Sequence, residues 1–108
     1  MVKVVFVTCP PAEASSLAQG LVASRLAACV NHISGLSSVY RWEGAVHEDA
    51  ESLLMIKTSE ACVDALRDTV TKMHSYDTPE FLVLDTDTAH SSADYLSWVI
   101  ANVRSNKP

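Results

Sequence analysis

The chain has 108 residues, of which 48% are hydrophobic and 19% charged. That is room for one domain, residues 1–108, with enough apolar content for a core and too much for disorder. The net charge is −5, from 8 basic and 13 acidic residues. No cluster of Lys and Arg occurs, which argues against a nucleic-acid binder. Apolar runs such as Val4–Val7 and Leu53–Ile56 are a few residues long, against roughly 20 for a membrane span. Three cysteines, Cys9, Cys29 and Cys62, are an odd number for a secreted disulfide framework, and they fit a reducing cytoplasm. Val2–Val7 follows Met1 directly, so no signal peptide is expected.

Val2–Val7 is β-branched and nearly all apolar, which predicts a central strand buried on both faces. Pro10 and Pro11 stop it and suit the first turn of a helix. That helix is predicted over Ala12–Ala27, with Ala14, Leu17, Ala18, Leu21 and Val22 on one stripe. Cys29–Ile33 reads as the next strand. Ser34 and Gly35 break its period as a bulge or bend does, and Ser37–Trp42 resumes it. Glu43-Gly44 is a tight-turn signal. Ala45–Thr58 is the return strand, with Leu53–Ile56 as its buried part. The acidic residues Glu43, Glu48, Asp49 and Glu51 read as a solvated hairpin tip or as a cation-attracting rim.

Ser59 is placed to cap a second helix, with Glu60 in its first turn and Val63, Leu66, Val70 and Met73 on its stripe. A connection over 75–79 leads to a buried strand, Glu80–Leu84. Ser91 or Ser92 caps a last helix with Leu96, Val99, Ile100 and Val103 on its stripe. Arg104 and Lys107 suit its C-terminal end. The order β-α-β-β-α-β-α is an α+β chain. Its first six elements form the split β-α-β, or ferredoxin-like, arrangement, with an additional C-terminal helix. Two helices cover one face of a four-stranded antiparallel sheet, and the other face is open. An open face and a long hairpin invite pairing with other chains, so a homo-oligomer is expected.

The chemistry must come from sites rather than from the fold. The loop Thr8-Cys9-Pro10-Pro11 has no Arg, no Gly and no Cys-x-x-Cys, which argues against an anion-cradling phosphatase loop and a soft-metal chaperone loop. No phosphate loop or dinucleotide fingerprint occurs. The remaining donors are Cys9, Cys29, His32, His47, His74 and His90, none at a local metal-ligand spacing. Cys29 reads either as a small buried hydrophobe or as a ligand. His74 reads as a helix-end cap, a packing residue or a ligand. His32, His47 and His90 read as surface residues. Tyr40 and Trp42 read as packing or interface anchors.

The motifs Arg25-Leu-Ala-Ala-Cys-Val-Asn31, Gly35, Ser38-x-Tyr-x-Trp-x-Gly44, Lys57-Thr58, His74-x-Tyr76-x-x-Pro79-Glu80 and Tyr95-Leu-x-Trp98 together resemble the CutA divalent-cation-tolerance family. The resemblance covers essentially the whole chain. It implies a ferredoxin-like subunit in a tight homotrimer, a cytoplasmic location, a link to copper and other divalent cations, and kinship in shape with PII signalling proteins. It implies no established catalytic reaction, so the chain is expected not to be an enzyme. Carried over onto these residues, the family's Cys and His fall on Cys29 and His74, the expected metal ligands. Tyr40, Trp42, Lys57, Tyr76 and Glu80 are the expected residues of an inter-subunit cleft. The family usually has Pro where this chain has Ser75, which leaves that loop less rigid. Imidazole and thiolate suit copper better than magnesium or calcium. The alternative is a PII-like signalling trimer that binds a small anionic metabolite, with Lys57 as its charge partner.

Overall fold

The computed structural model describes residues 1–104, so the expected role of Lys107 lies outside the described residues. The elements are β1 (Val2–Cys9), α1 (Pro11–Ala23), β2 (Cys29–Trp42), β3 (Ala45–Ser59), α2 (Val63–Met73), β4 (Leu82–Asp85) and α3 (Ala93–Ala101). This is the expected β-α-β-β-α-β order with a C-terminal helix. The strands form one sheet in the order β2-β3-β1-β4, with antiparallel neighbours throughout.

The period-2 alternation of the strands decides the core. Val5, Val7, Leu54 and Ile56 are fully buried, against Ala14, Leu17 and Leu21 of α1 and Leu66 and Val70 of α2. Their neighbours Val4, Phe6, Leu53 and Met55 project to the opposite face, away from α1 and α2, and are only half-buried. So β1 is central and covered by α1 and α2 along one face, while on the other only its start at Val2, beside α3, is buried, less than its composition suggests. β4 also differs from expectation. It is an exposed edge, with Leu82 56% exposed, because nothing among the described residues covers that side. Only Phe81, just before it, packs on the core.

α1 stops at Ala23, short of the expected Ala27. The Leu26 N–H donates to the Leu21 carbonyl at 3.1 Å and the Arg25 N–H to the Val22 carbonyl at 3.0 Å. That is the paired termination that puts the next residue in a left-handed conformation. Arg25 takes it, at φ 62°, which costs an L residue about 1–2 kcal/mol. Burial of Leu26 helps to offset the strain, and the Arg104 N–H donates to the Arg25 carbonyl at 2.8 Å. Ser59 precedes a 3-10 turn at Glu60–Cys62 without a side-chain cap bond. Ser92 does cap α3, accepting from the Tyr95 N–H at 3.2 Å. The stripe of α3 is buried only in part. Val99 is fully enclosed, whereas Ile100 is exposed, because α3 rests on β3 and β1 and not under a second layer. Val22 and Met73 are likewise exposed members of their expected stripes.

The long hairpin is as expected. Glu43 and Gly44 both have positive φ, 50° and 79°, the pairing that matches the twist of adjoining strands. Ile33 pairs with Leu53 and Leu36 with Glu51. Ser34 and Gly35 therefore face Ser52 alone, which is a bulge, and Gly35 supplies φ 80°. Beyond the bulge, β2 and β3 pair only with each other, because β1 ends at Cys9 opposite Ser52.

Candidate functional site

A cleft of about 830 Å³ opens where the hairpin leaves the sheet. Tyr40 and Trp42 of β2, Glu51 of β3 and Thr8 of β1 form its walls, and the loop Ser75–Glu80 forms its rim. Alternation along β3 puts His47, Asp49 and Glu51 on one side with Tyr40, their cross-strand neighbour. The Tyr40 hydroxyl donates to Asp49, and its ring stacks on His47 at 5.6 Å. In the sequence Glu51 is legible only as part of an acidic run at an exposed tip. It is instead 7% exposed, because the Tyr76 hydroxyl reaches across and donates to it at 3.1 Å. The signal available in the sequence is its phase. Glu51 falls on the same face as Leu53 and Met55, directly before the buried stretch.

Burial, followed by the hydrogen bond to Glu51, pushes the Tyr76 phenol up to about 12. The neutral phenol is thus favoured by folding. Its stabilising effect is present below the ordinary value of about 10 and is lost as pH rises toward 12. Burial and the nearby Glu51 carboxylate raise Glu80 above its usual range. Tyr40 is also raised, first by its bond to Asp49. Among the described residues, no Lys or Arg lines the cleft.

The expected cleft residues therefore divide. Tyr40, Trp42, Tyr76 and Glu80 share this cleft, and Lys57 does not. Lys57 pairs with Cys29 and Val4. It lies six residues along β3 from Glu51, about 20 Å of strand. Its Nζ is 4.0 Å from the Cys29 Sγ. Burial, then Cys29 itself, raise the phenol of Tyr95 beside them.

His74 and Cys29 do not meet within one chain. Nε2 of His74 donates to the Thr8 carbonyl at 2.8 Å, and Nδ1 accepts from the Tyr76 N–H at 3.0 Å. Both ring nitrogens are used, and the residue is 7% exposed. Thr8 lies four residues along β1 from Val4, about 13 Å, and Cys29 lies two strands further across the sheet, beyond Lys57. Among the described residues, no group of three His, Cys, Asp or Glu stands close enough to surround a metal ion. Ser75, expected to loosen the loop, is tied down. Its N–H and hydroxyl reach the Glu13 carboxylate at 3.3 and 2.7 Å.

His32, His47 and His90 are exposed as expected. Cys9 and Cys62 are buried. Burial, then Glu13 and Glu51, push the Cys9 thiol up to about 11. Its thiolate fraction at pH 8 is then of order one in a thousand. Iodoacetamide at pH 8 should leave Cys9 unlabelled in the folded protein and label it on unfolding, as read by peptide mass spectrometry. Equal labelling in both states would contradict its enclosure.

Residues 3–102 match the family of CutA1 divalent ion tolerance proteins. A chloroplastic CutA 1 protein of rice is 45% identical over 102 residues, spanning 94% of this chain and 56% of that protein. The chain thus spans little more than half of that relative's length. A solved divalent cation tolerance protein from Thermus thermophilus superposes with a TM-score of 0.91 at 41% identity, over 96% of this chain and 100% of that one. A PII-like CutA protein from Nostoc sp. PCC 7120 in apo form gives 0.91 at 31% identity, over 94% and 97% of the two chains. The match spans every element from β1 to α3 in one unbroken order, and on it the chain belongs to the CutA1 divalent ion tolerance family.

Proposed function

We propose that the chain works as a cytoplasmic homotrimer in divalent-cation tolerance, as a binding protein and not an enzyme. In this reading cations are held at the cleft between the hairpin and the 75–80 loop. The observation that carries it is the cleft's charge: Glu51, Asp77 and Glu80 line it, and no Lys or Arg does among the described residues. Such a lining attracts cations and repels a small anionic metabolite. Lys57, the charge partner that the anionic reading needs, stands elsewhere on the sheet.

Copper prefers imidazole and thiolate. Here the imidazole of His74 is fully hydrogen-bonded and the thiol of Cys29 lies apart. Among the described residues no imidazole or thiol lines the cleft, so a closed copper shell there needs donors from a neighbouring subunit. Support for the trimer comes from apolar surface left open among the described residues, chiefly β4 and the sheet face away from α1 and α2. The cytoplasmic reading rests on three unpaired thiols.

Calorimetric titration of the assembled protein with Cu(II) and Mg(II) is the test. Cu(II) should bind more tightly, following the usual affinity order. Glu51→Gln and Glu80→Gln should each weaken binding by at least about tenfold, the lower range for losing even a residue that only supports a ligand. Glu80→Gln should also raise the melting temperature of the metal-free protein, because it removes a partly buried charge that faces Glu51. Wild-type affinity in both glutamine variants would take the cation out of the cleft.

A further inference from the structure

The loop that rims the cleft is held from outside it. Glu13 lies in the first turn of α1 and lines no part of the cleft. Its carboxylate nevertheless accepts two hydrogen bonds from one loop residue, the Ser75 N–H at 3.3 Å and the Ser75 hydroxyl at 2.7 Å. Two bonds from one residue to one carboxylate set orientation as well as position. The acceptor is itself well anchored. The Glu13 N–H donates to the Pro10 carbonyl at 3.0 Å, and a helix N-terminus favours a carboxylate.

Directly after Ser75 comes Tyr76, whose hydroxyl spans to Glu51. Asp77 and Glu80 follow on the same short segment. The two other ties in this region run through His74, to the Thr8 carbonyl and from the Tyr76 N–H. The first holds the end of α2 against β1, and the second is local to the loop. The Glu13–Ser75 pair is what joins the loop to α1.

We propose that Glu13 and Ser75 form a latch that sets the cleft loop, so that Glu13 is a positioning residue for cation binding although it touches no ligand. This rests on the cleft being the cation site. With the latch closed, Tyr76, Asp77 and Glu80 stand ready and little ordering accompanies binding. With it open, the segment must be ordered each time a cation arrives, and affinity falls by that entropy.

The test compares parent, Glu13→Ala, Ser75→Ala and the double variant in the assembled protein. Hydrogen exchange of the 76–80 amides is read without ligand, and Cu(II) affinity by calorimetry. Each single change should speed exchange and weaken Cu(II) binding by about tenfold, the lower range for a hydrogen bond to a charged group. The double variant should be no worse than either single one, because both changes remove the same contact. Ser75→Pro placed in the Glu13→Ala background provides a rescue. His74 has φ −78° and ψ 142°, the region a residue before proline adopts. A ring at position 75 therefore restrains the loop without the acceptor, and affinity should return toward the parent. A role of Glu13 confined to stabilising α1 would not be rescued by a proline that makes no bond to position 13. Additive losses in the double variant, parent-like exchange in the single ones, or no rescue by proline overturn the latch. If the parent itself binds no Cu(II), the cleft reading fails, and the exchange rates alone still decide whether the latch holds the loop.

Discussion

Leu82→Glu is expected to break the assembly. β4 is the edge of the sheet, beside β1. Leu82 pairs with Phe6 and Leu84 with Val4, so both project to the face away from α1 and α2, together with Leu53 and Met55. This face and edge form a connected apolar surface of the kind that marks an interface. In the proposed trimer it is covered by neighbouring subunits. A carboxylate at position 82 must then either lose its water, at several kcal/mol, or keep the subunits apart. Light scattering at low micromolar concentration should give about three times the chain mass of 11.7 kDa for the parent. The variant should give a single chain. A parent at one chain mass refutes the trimer, and a variant with the parent's mass puts the interface elsewhere.

Trp42→Ala should produce the second large effect. Trp42 closes β2 next to the turn and is 56% exposed. The hairpin beyond the bulge is a two-stranded ribbon, with no third strand on either side. Such ribbons are marginal alone in water, so this one is expected to lean on a neighbouring subunit, with Trp42 and Tyr40 as its anchors. Truncating an aromatic anchor costs about 2–4 kcal/mol, or roughly 30- to 1,000-fold in the dissociation constant. Dilution series by analytical ultracentrifugation, and melting curves at several protein concentrations, measure this. An alanine variant with the parent's dissociation constant and melting temperature would reduce Trp42 to a surface residue.

The two variants act on different parts of the molecule and differ in legibility. The exposure of Trp42 follows from its place beside a tight turn. That of Leu82 does not follow from the run Phe-Leu-Val-Leu, which has the composition of a buried strand. Composition reports what a segment can bury. Whether it is buried within its own chain depends on the layer above it, and the described residues place none above β4. The same reason leaves Val4 and Phe6 of β1 half-buried and Ile100 of α3 in the open.

The order of the elements, the turn at Glu43-Gly44, the bulge at Ser34-Gly35 and the family were all legible in the amino acids alone. These depend on local backbone preferences, on side-chain periodicity and on an ordered set of short motifs, all carried by neighbouring residues. The end of α1 was settled by packing, since the left-handed Arg25 is held by Leu26 and by Arg104, far along the chain. Packing also assembled the cleft. Strand register carries Lys57 away to Cys29 and brings Glu51 under Tyr76. It set the state of His74 as well, whose two ring nitrogens bind Thr8 and Tyr76. Ser75 reads as a loosened loop because its partner Glu13 lies 62 residues earlier, and a contact at that separation leaves no local trace in the sequence.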